Sequence, residues 1–461
     1  MNEFGKQLPK LVSATPGPQS SEWVERLGMV ECPAITHRRQ RRKEAGAQDP
    51  IVWARAQGAN IEDVDGNRFV DLSGGFAVAA VGHAHPKVVE AVQRQSQNLI
   101  HAMGDLFPSR EKVLLSEKLQ AITPPGLDYS ILGIGGSDAV EASIKTALIA
   151  TGRRRVLGFA GGYHGMSLGA LGVSGYRDSF REPFVGQAGH SDLRLPFPGQ
   201  PRSPFADDDG SRALEQIDWL LGSDTTGAAS VAAIIVEPIQ ARGGVIEPPR
   251  GFLRGLRELT TKHGILLIFD EIYTGFGRTG SMFACEQEGV TPDIIAIGKA
   301  MGGGAPIGAC VATREVMEGW GRPAGEAIHT STFLGNPLVA SMALATIDVL
   351  QSEGLIERSA ALGAFAKDYL QRELAGCARV EAVRGRGLML GIALLDASGA
   401  PWAGGGVQAT SDLLREGFVV SPGGSLGEVL SLAPPFVITE AQLTAGLEAI
   451  VRWCHALPTS A

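Results

Sequence analysis

Short, almost wholly apolar runs recur through the middle of the chain, at 129–134, 156–159, 231–236, 265–269, 294–297 and 308–312. Runs this short, with no polar alternation, predict strands buried on both faces. Amphipathic stretches lie between them. Val140, Ile144, Ala147 and Leu148 share one face of a helix predicted over 138–150. Phe252, Leu256 and Leu259 fall in phase after Arg250, with Gly264 placed to end that helix. Strand–helix alternation predicts an α/β fold, a mainly parallel sheet flanked by helices.

The pattern changes at both ends. From about Ala343 a helical stretch leads to strand-like runs at 388–395 and 417–421. A last helix opens on Thr439-Glu440-Ala441-Gln442, a capping box, and carries Leu443, Leu447, Ile450 and Val451 on one face. This reads as a small α+β domain. Near the N-terminus, Asp65-Gly66-Asn67 is the expected turn of a hairpin between 59–64 and 68–72. Pro86 marks a helix start, and His83-Ala84-His85 before it reads as turn rather than metal ligands. The expected division is 1–85 as a segment packing with the small domain, 86–342 as the large domain, and 343–461 as the small one.

Bulk properties narrow the function. A chain of 461 residues with a net charge of −8 has no general attraction for nucleic acid. Its one basic run, 38–43, lacks the aromatic residues of a base-stacking platform. No apolar stretch is long enough to cross a bilayer, so no membrane partner is expected. The five cysteines are scattered and without metal-ligand spacing, which fits reduced thiols in a cytoplasmic protein with no metal.

In an open α/β sheet, ligands bind beyond the carboxyl ends of the strands. The polar residues after the apolar runs are therefore the candidates: Gly135-Gly136-Ser137, then Gly161-Gly162-Tyr163-His164-Gly165, Glu237, Asp270-Glu271 and Gly298-Lys299. Gly135-Gly136-Ser137 is either a plain helix start or an anion subsite, and Tyr163 is either core or ring-stacking. The full G-x-G-x-x-G spacing is absent at Gly135-Gly136-Ser137, which argues against a dinucleotide fingerprint at that turn. Asp270 closes a buried strand and needs a partner. Lys299 precedes Ala300-Met301-Gly302-Gly303-Gly304, a glycine run that favours a functional amine over a surface lysine. Together the set suits pyridoxal 5'-phosphate (PLP). The lysine forms an imine with its aldehyde, the aspartate keeps the pyridine nitrogen protonated, the aromatic stacks on the ring, and the glycine-rich turn takes the phosphate.

The chain also resembles the class III aminotransferases, the ω-type subgroup of fold-type I PLP enzymes, from about Pro50 to about Ile450. The resemblance rests on Gly136-Ser137-Asp138-Ala139-Val140-Glu141, Tyr163-His164-Gly165, Val236-Glu237-Pro238-Ile239-Gln240 and the long run Phe269-Asp270-Glu271-Ile272-Tyr273-Thr274-Gly275-Phe276-Gly277-Arg278-Thr279-Gly280. Gly298-Lys299 and Ser331-Thr332-Phe333-Leu334-Gly335-Asn336-Pro337 follow at the family's distances. It implies Lys299 as the Schiff-base lysine and proton carrier, Asp270 on the pyridine nitrogen, Tyr163 on the ring, and Gly136 and Ser137 on the phosphate. It also implies Thr332 reaching the phosphate of a neighbouring subunit in a homodimer with shared active sites, and Arg384 gripping a substrate carboxylate.

Four positions depart from the best-known branches. Tyr273 stands where a glutamine often contacts the cofactor's phenolic oxygen. Met166 replaces an arginine, and Phe76 aligns with the glutamine of the decarboxylating branch. Arg242 replaces the glutamate that neutralises the carboxylate-binding arginine when an amine-ended donor enters. Met166 and Phe76 therefore predict a donor pocket with apolar surface. Two uncompensated guanidiniums, Arg242 and Arg384, predict a penalty for ornithine and 4-aminobutyrate as donors. The expected activity is amino-group transfer from an amine or ω-amino acid to a keto acid, pyruvate or 2-oxoglutarate. The alternatives are an amino-acid racemase or epimerase of the same fold and a non-catalytic PLP-binding protein.

Overall fold

The chain divides into two units, Met1–Pro86 with Glu357–Ala461, and Lys87–Ile356. The computed structural model describes residues 3–36, 50–188, 193–322, 325 and 327–458. The basic run at 38–43 lies outside the described residues.

In the first unit the hairpin forms as read. β1 (Trp53–Gln57), β2 (Asn60–Asp63) and β3 (Arg68–Asp71) run antiparallel in that order. Asp63 Oδ1 accepts from the backbone N–H groups of Asp65 and Asn67 at 3.0 and 2.8 Å, which closes the turn around Gly66 at φ 85°.

The second unit holds the predicted α/β layer. β4 (Leu127–Gly133), β5 (Arg155–Phe159), β6 (Arg194–Leu195), β7 (Val231–Val236), β8 (Leu266–Asp270), β9 (Ile294–Ile297) and β10 (Gly308–Thr313) form one sheet in the order β4-β10-β9-β8-β7-β5-β6. β5 to β9 are parallel neighbours, while β10 runs antiparallel to both β9 and β4. Every residue of β7 is buried, the outcome expected of a strand covered on both faces. Ala233 and Ile235 pack with Ile268, Ile294 and Ala296 against Val140, Ile144 and Ala147 of the helix Gly136–Thr151. On the alternate positions Ala232 and Ile234 are equally buried. Each aliphatic side chain so buried contributes roughly 1.5–3 kcal/mol. The helix starts two residues before the 138–150 reading, because Gly136 and Ser137 already take helical geometry in its first turn.

The rest of the first unit carries β11 (Val380–Arg386), β12 (Met389–Leu394), β13 (Phe418–Val419), β14 (Ser421–Gly423) and β15 (Val429–Leu432). The second sheet has the order β11-β12-β15-β14, and β13 joins β3 in parallel. The helix Glu440–Ala456 begins with the capping box of Thr439 and Gln442. Gln442 Nε2 also donates to Asn60 Oδ1 at 2.9 Å, so the ends of the chain share one core.

The boundary read at 343 falls inside the helix Pro337–Ser352, and the observed division comes at Glu357. That helix belongs to the Lys87–Ile356 unit. Its Ala340, Ala343 and Ile347 are buried, and Asp348 pairs with Lys118 at 2.7 Å. The break comes at Gly354, whose φ of 61° ends the helical run. Among the described residues no single helix is long and apolar enough to cross a membrane.

Candidate active site at the strand ends

The carboxyl ends of β5, β7, β8 and β9 deliver their polar residues to one cleft of about 190 Å³. Gly136, Ser137, Tyr163, His164, Gly165, Glu237, Ala241, Arg242, Asp270, Ile272, Tyr273 and Lys299 line it.

Lys299 follows β9 and has φ 45°, a left-handed conformation that L residues other than Asn and Asp seldom adopt. Such an outlier at the end of a buried strand marks a side chain held for use. Its Nζ lies 4.5 Å from the Tyr273 ring centroid. Burial pushes the amine's pKa down, Asp270 and Glu237 pull it up, and Arg242 pushes it down again; the net direction is down. A larger fraction of the amine is thus neutral and nucleophilic.

Asp270 ends β8 with its carboxylate buried. Oδ2 lies 2.7 Å from His164 Nδ1, and Oδ1 accepts from the Ile272 N–H at 3.1 Å. The partner that a buried carboxylate requires is therefore His164. Its own Nε2 is buried without a hydrogen-bond partner. Glu237 directly follows β7 and ties two loops together. Oε1 accepts from the Tyr163 N–H at 2.7 Å, and Oε2 accepts from the Ala241 N–H at 3.1 Å. Burial raises its pKa, His164 lowers it and Asp270 raises it, leaving it at about 7.

The loop after β5 lies over the start of the helix Gly136–Thr151. Gly165, at φ 126°, permits this, since a Cβ there would stand 2.1 Å from Ser137 Oγ. Ser137 Oγ accepts from the Met166 N–H at 3.1 Å, which leaves its proton free to donate into the cleft. The first-turn N–H groups beside it add the positive end of the helix dipole. Tyr163 packs edge to face with Tyr176, ring centroids 6.0 Å apart. The Arg242 guanidinium stands 4.7 Å from the Tyr163 ring centroid and 5.2 Å from that of Tyr176. Burial raises the Tyr273 phenol, against the opposing pull of Arg278 and Arg242.

The structure thus brings Lys299, Asp270, Gly136, Ser137, Tyr163, Tyr273 and Arg242 together. Met166 does not line the cleft; its side chain is exposed and only its N–H is engaged. Thr332 is exposed and does not line its own chain's cleft. Phe76 and Arg384 belong to the other unit. There Phe76 is exposed at φ 63°. Arg384 Nη2 lies 3.1 Å from Glu381 Oε2, and burial lowers its pKa against the pull of Glu381 and Glu428. The expectation of two uncompensated guanidiniums is corrected on this point. Glu381, three positions back in β11, is the acid that sequence alone did not pair with Arg384. The sequence reading also gave no role to His164 or Glu237, although both stood in quoted motifs. The signal available was that Asp270 needed a buried partner.

A nucleophilic buried lysine, a histidine-held carboxylate, an aromatic face and a glycine-rich helix start, all at one end of a mainly parallel sheet, define a fold-type I PLP enzyme. The comparisons agree. The profile of the family described as Aminotransferase class-III matches residues 43–454. The acetylornithine aminotransferase of Methanothermobacter thermautotrophicus is 37% identical over 87% of this chain and 93% of its own length. The alanine/serine racemase of Pyrococcus horikoshii is 32% identical over 97% of this chain and 92% of its own. A PLP-bound amine transaminase from an uncultivated Pseudomonas species superposes with a TM-score of 0.79 at 31% identity, over 88% of this chain and 95% of that one.

The chain belongs to the class III aminotransferase family. It is a transaminase, and its cofactor is pyridoxal 5'-phosphate. The residues present fit that group. The carboxylate is buried and hydrogen-bonded to His164, the amine's pKa is lowered, and the helix start is open for an anion because nothing lies within 4 Å of where a Gly135 side chain would begin.

Proposed function

We propose that this aminotransferase takes its amino group from an amine or ω-amino acid, passes it to pyruvate or 2-oxoglutarate, and uses Lys299 and Asp270 as catalytic residues. The observation that carries the reading is the convergence of the Lys299 amine and the His164-held Asp270 on one cleft with Tyr163 and Ser137. When bound, the cofactor supplies an electron sink for the bond that breaks at the substrate's Cα.

The chain's own residues do the rest. Lys299 would hold the cofactor through its aldehyde, and Nζ would carry the substrate's α-proton. Asp270 keeps the pyridine nitrogen protonated, and His164 orients Asp270. Tyr163 would stack on the ring, and Gly136 and Ser137 would hold the phosphate. Thr332 extends to the phosphate of a neighbouring subunit, which makes the working form a homodimer. Arg384 exchanges Glu381 for the keto acid's carboxylate. With Arg384 compensated in this way, the penalty on a doubly cationic donor such as ornithine rests on Arg242. The free cysteines and the absence of any metal requirement in this scheme support a cytoplasmic setting.

Borohydride treatment of the holoenzyme, then peptide mapping, should fix the cofactor on Lys299. Lys299→Ala should abolish turnover in a folded chain. A label on a different lysine would refute the assignment. The 32% identity with an alanine/serine racemase supports a second reading. With no keto acid present, a transaminase yields one keto product per site, whereas a racemase exchanges the Cα proton and releases none.

A further inference from the structure

Apart from Lys299 itself, all but one of the acidic and basic groups that line the Lys299 cleft are already hydrogen-bonded to protein. Asp270 spends its oxygens on His164 and the Ile272 N–H, and Glu237 spends its own on the N–H groups of Tyr163 and Ala241. Lys299 is reserved for the cofactor. Arg242 remains. Its only partners among the described residues are the faces of Tyr163 and Tyr176; no ion pair is formed.

That arrangement has a definite geometry. Tyr163 and Tyr176 meet at an interplanar angle of 85°, so the guanidinium sits in the notch between two nearly perpendicular rings. The rings bear on the cation and fix its position, while stacking of this kind leaves N–H donors of the fork available. Cation–π contacts stabilise by about 0.5–2 kcal/mol, too little to replace an anionic partner for a guanidinium held in a cleft. The fork is held in place before any ligand arrives, which lowers the entropy cost of a planar, bidentate anion.

We propose that Arg242 is the anchor for a substrate carboxylate in the Lys299 cleft, held by Tyr163 and Tyr176 so that amino-acid substrates are selected over plain amines. The proposal rests on the aminotransferase reading above. It makes Arg242 a specificity residue that touches substrate, distinct from the residues that hold the cofactor or move the proton.

Matched donor pairs that exchange a carboxylate for a methyl group isolate this contribution: L-alanine against isopropylamine, and 4-aminobutyrate against butylamine. The measurement is kcat/KM for the first half-reaction of the holoenzyme, followed by loss of the cofactor's visible band. In Arg242→Gln the ratio of acid to amine should fall by about ten-fold or more in one of the pairs, the size of a lost charge-assisted hydrogen bond. The pair affected reports how far from the reacting nitrogen the carboxylate is held. Arg242→Lys should recover part of the ratio, since it restores charge without the fork. Binding of propionate, an unreactive carboxylate, to the holoenzyme should weaken in parallel. A ratio unchanged within about three-fold in both pairs, or an equal fall for acid and amine, overturns the proposal and leaves Arg242 as a support for the Tyr163 ring. If none of the four donors reacts, the donor class proposed above fails, and propionate binding still decides the role of Arg242.

Discussion

Replacing Glu237 by glutamine removes a carboxyl group that titrates near neutrality and keeps one of its two backbone contacts, since the amide nitrogen cannot accept the second N–H. In the folded chain its pKa rises from the ordinary 4.5 to about 7, mainly because burial disfavours the charge. Between those values the folded chain binds a proton that the unfolded chain has already released. Stability therefore falls as pH rises through the window from 4.5 to about 7 and levels off above it. At about 1.4 kcal/mol per pH unit, ionising this group in place costs on the order of 3 kcal/mol. The assay is difference infrared spectroscopy of the parent chain against Glu237→Gln, both without cofactor, following the protonated carboxyl's C=O stretch. The band missing from the variant should disappear with a midpoint close to 7. The stability of the variant relative to the parent should rise over the same range, measured from denaturant unfolding at pH 5 to 8. A midpoint near 4.5 would show that the two N–H donors of Tyr163 and Ala241 outweigh burial, and would refute the reasoning.

Asp270→Asn should retain the cofactor but lose several powers of ten in rate, as expected when a transition-state charge partner is removed; near-normal turnover would place the wrong carboxylate under the ring. Arg384→Ala should raise the KM for the keto acid by a factor corresponding to roughly 2–3 kcal/mol, read from steady-state kinetics with pyruvate and 2-oxoglutarate. An unchanged KM for both would leave Arg384 as the partner of Glu381 alone.

The parts of the fold legible in the sequence are those where burial on two faces forces a continuous apolar run. β7 and β9 coincide with the runs 231–236 and 294–297, and Glu237 and Lys299 just beyond them line the cleft. The capping box at Thr439 was legible because both of its bonds are local. Less visible were features that depend on distant pairing. β13 is two residues long and exists because β3 offers it a parallel edge, a fact no local pattern carries. His164 as the partner of Asp270 is a contact across 106 positions. The domain boundary was misplaced for a related reason, since a change of composition at 343 says nothing about which neighbours the helix Pro337–Ser352 packs against. Tyr163 gave a different kind of ambiguity. An aromatic after a strand is core or site depending on what approaches its face, and only the geometry shows a guanidinium there.

The loop after β5 is pinned at successive residues to two different strands, Tyr163 to Glu237 at the end of β7 and His164 to Asp270 at the end of β8. In the sheet β5 neighbours β7 and β7 neighbours β8, so the side chains sew three adjacent strand ends into a seam beyond the last backbone hydrogen bonds. A change at any stitch displaces the aromatic ring and the buried carboxylate together, and the reaction with them. Positions 242 and 273 face the same cleft, and their side chains hold no stitch in that seam. A change of donor can therefore be made at those two positions while the seam stays closed, and both are among the positions where this chain departs from the best-known branches.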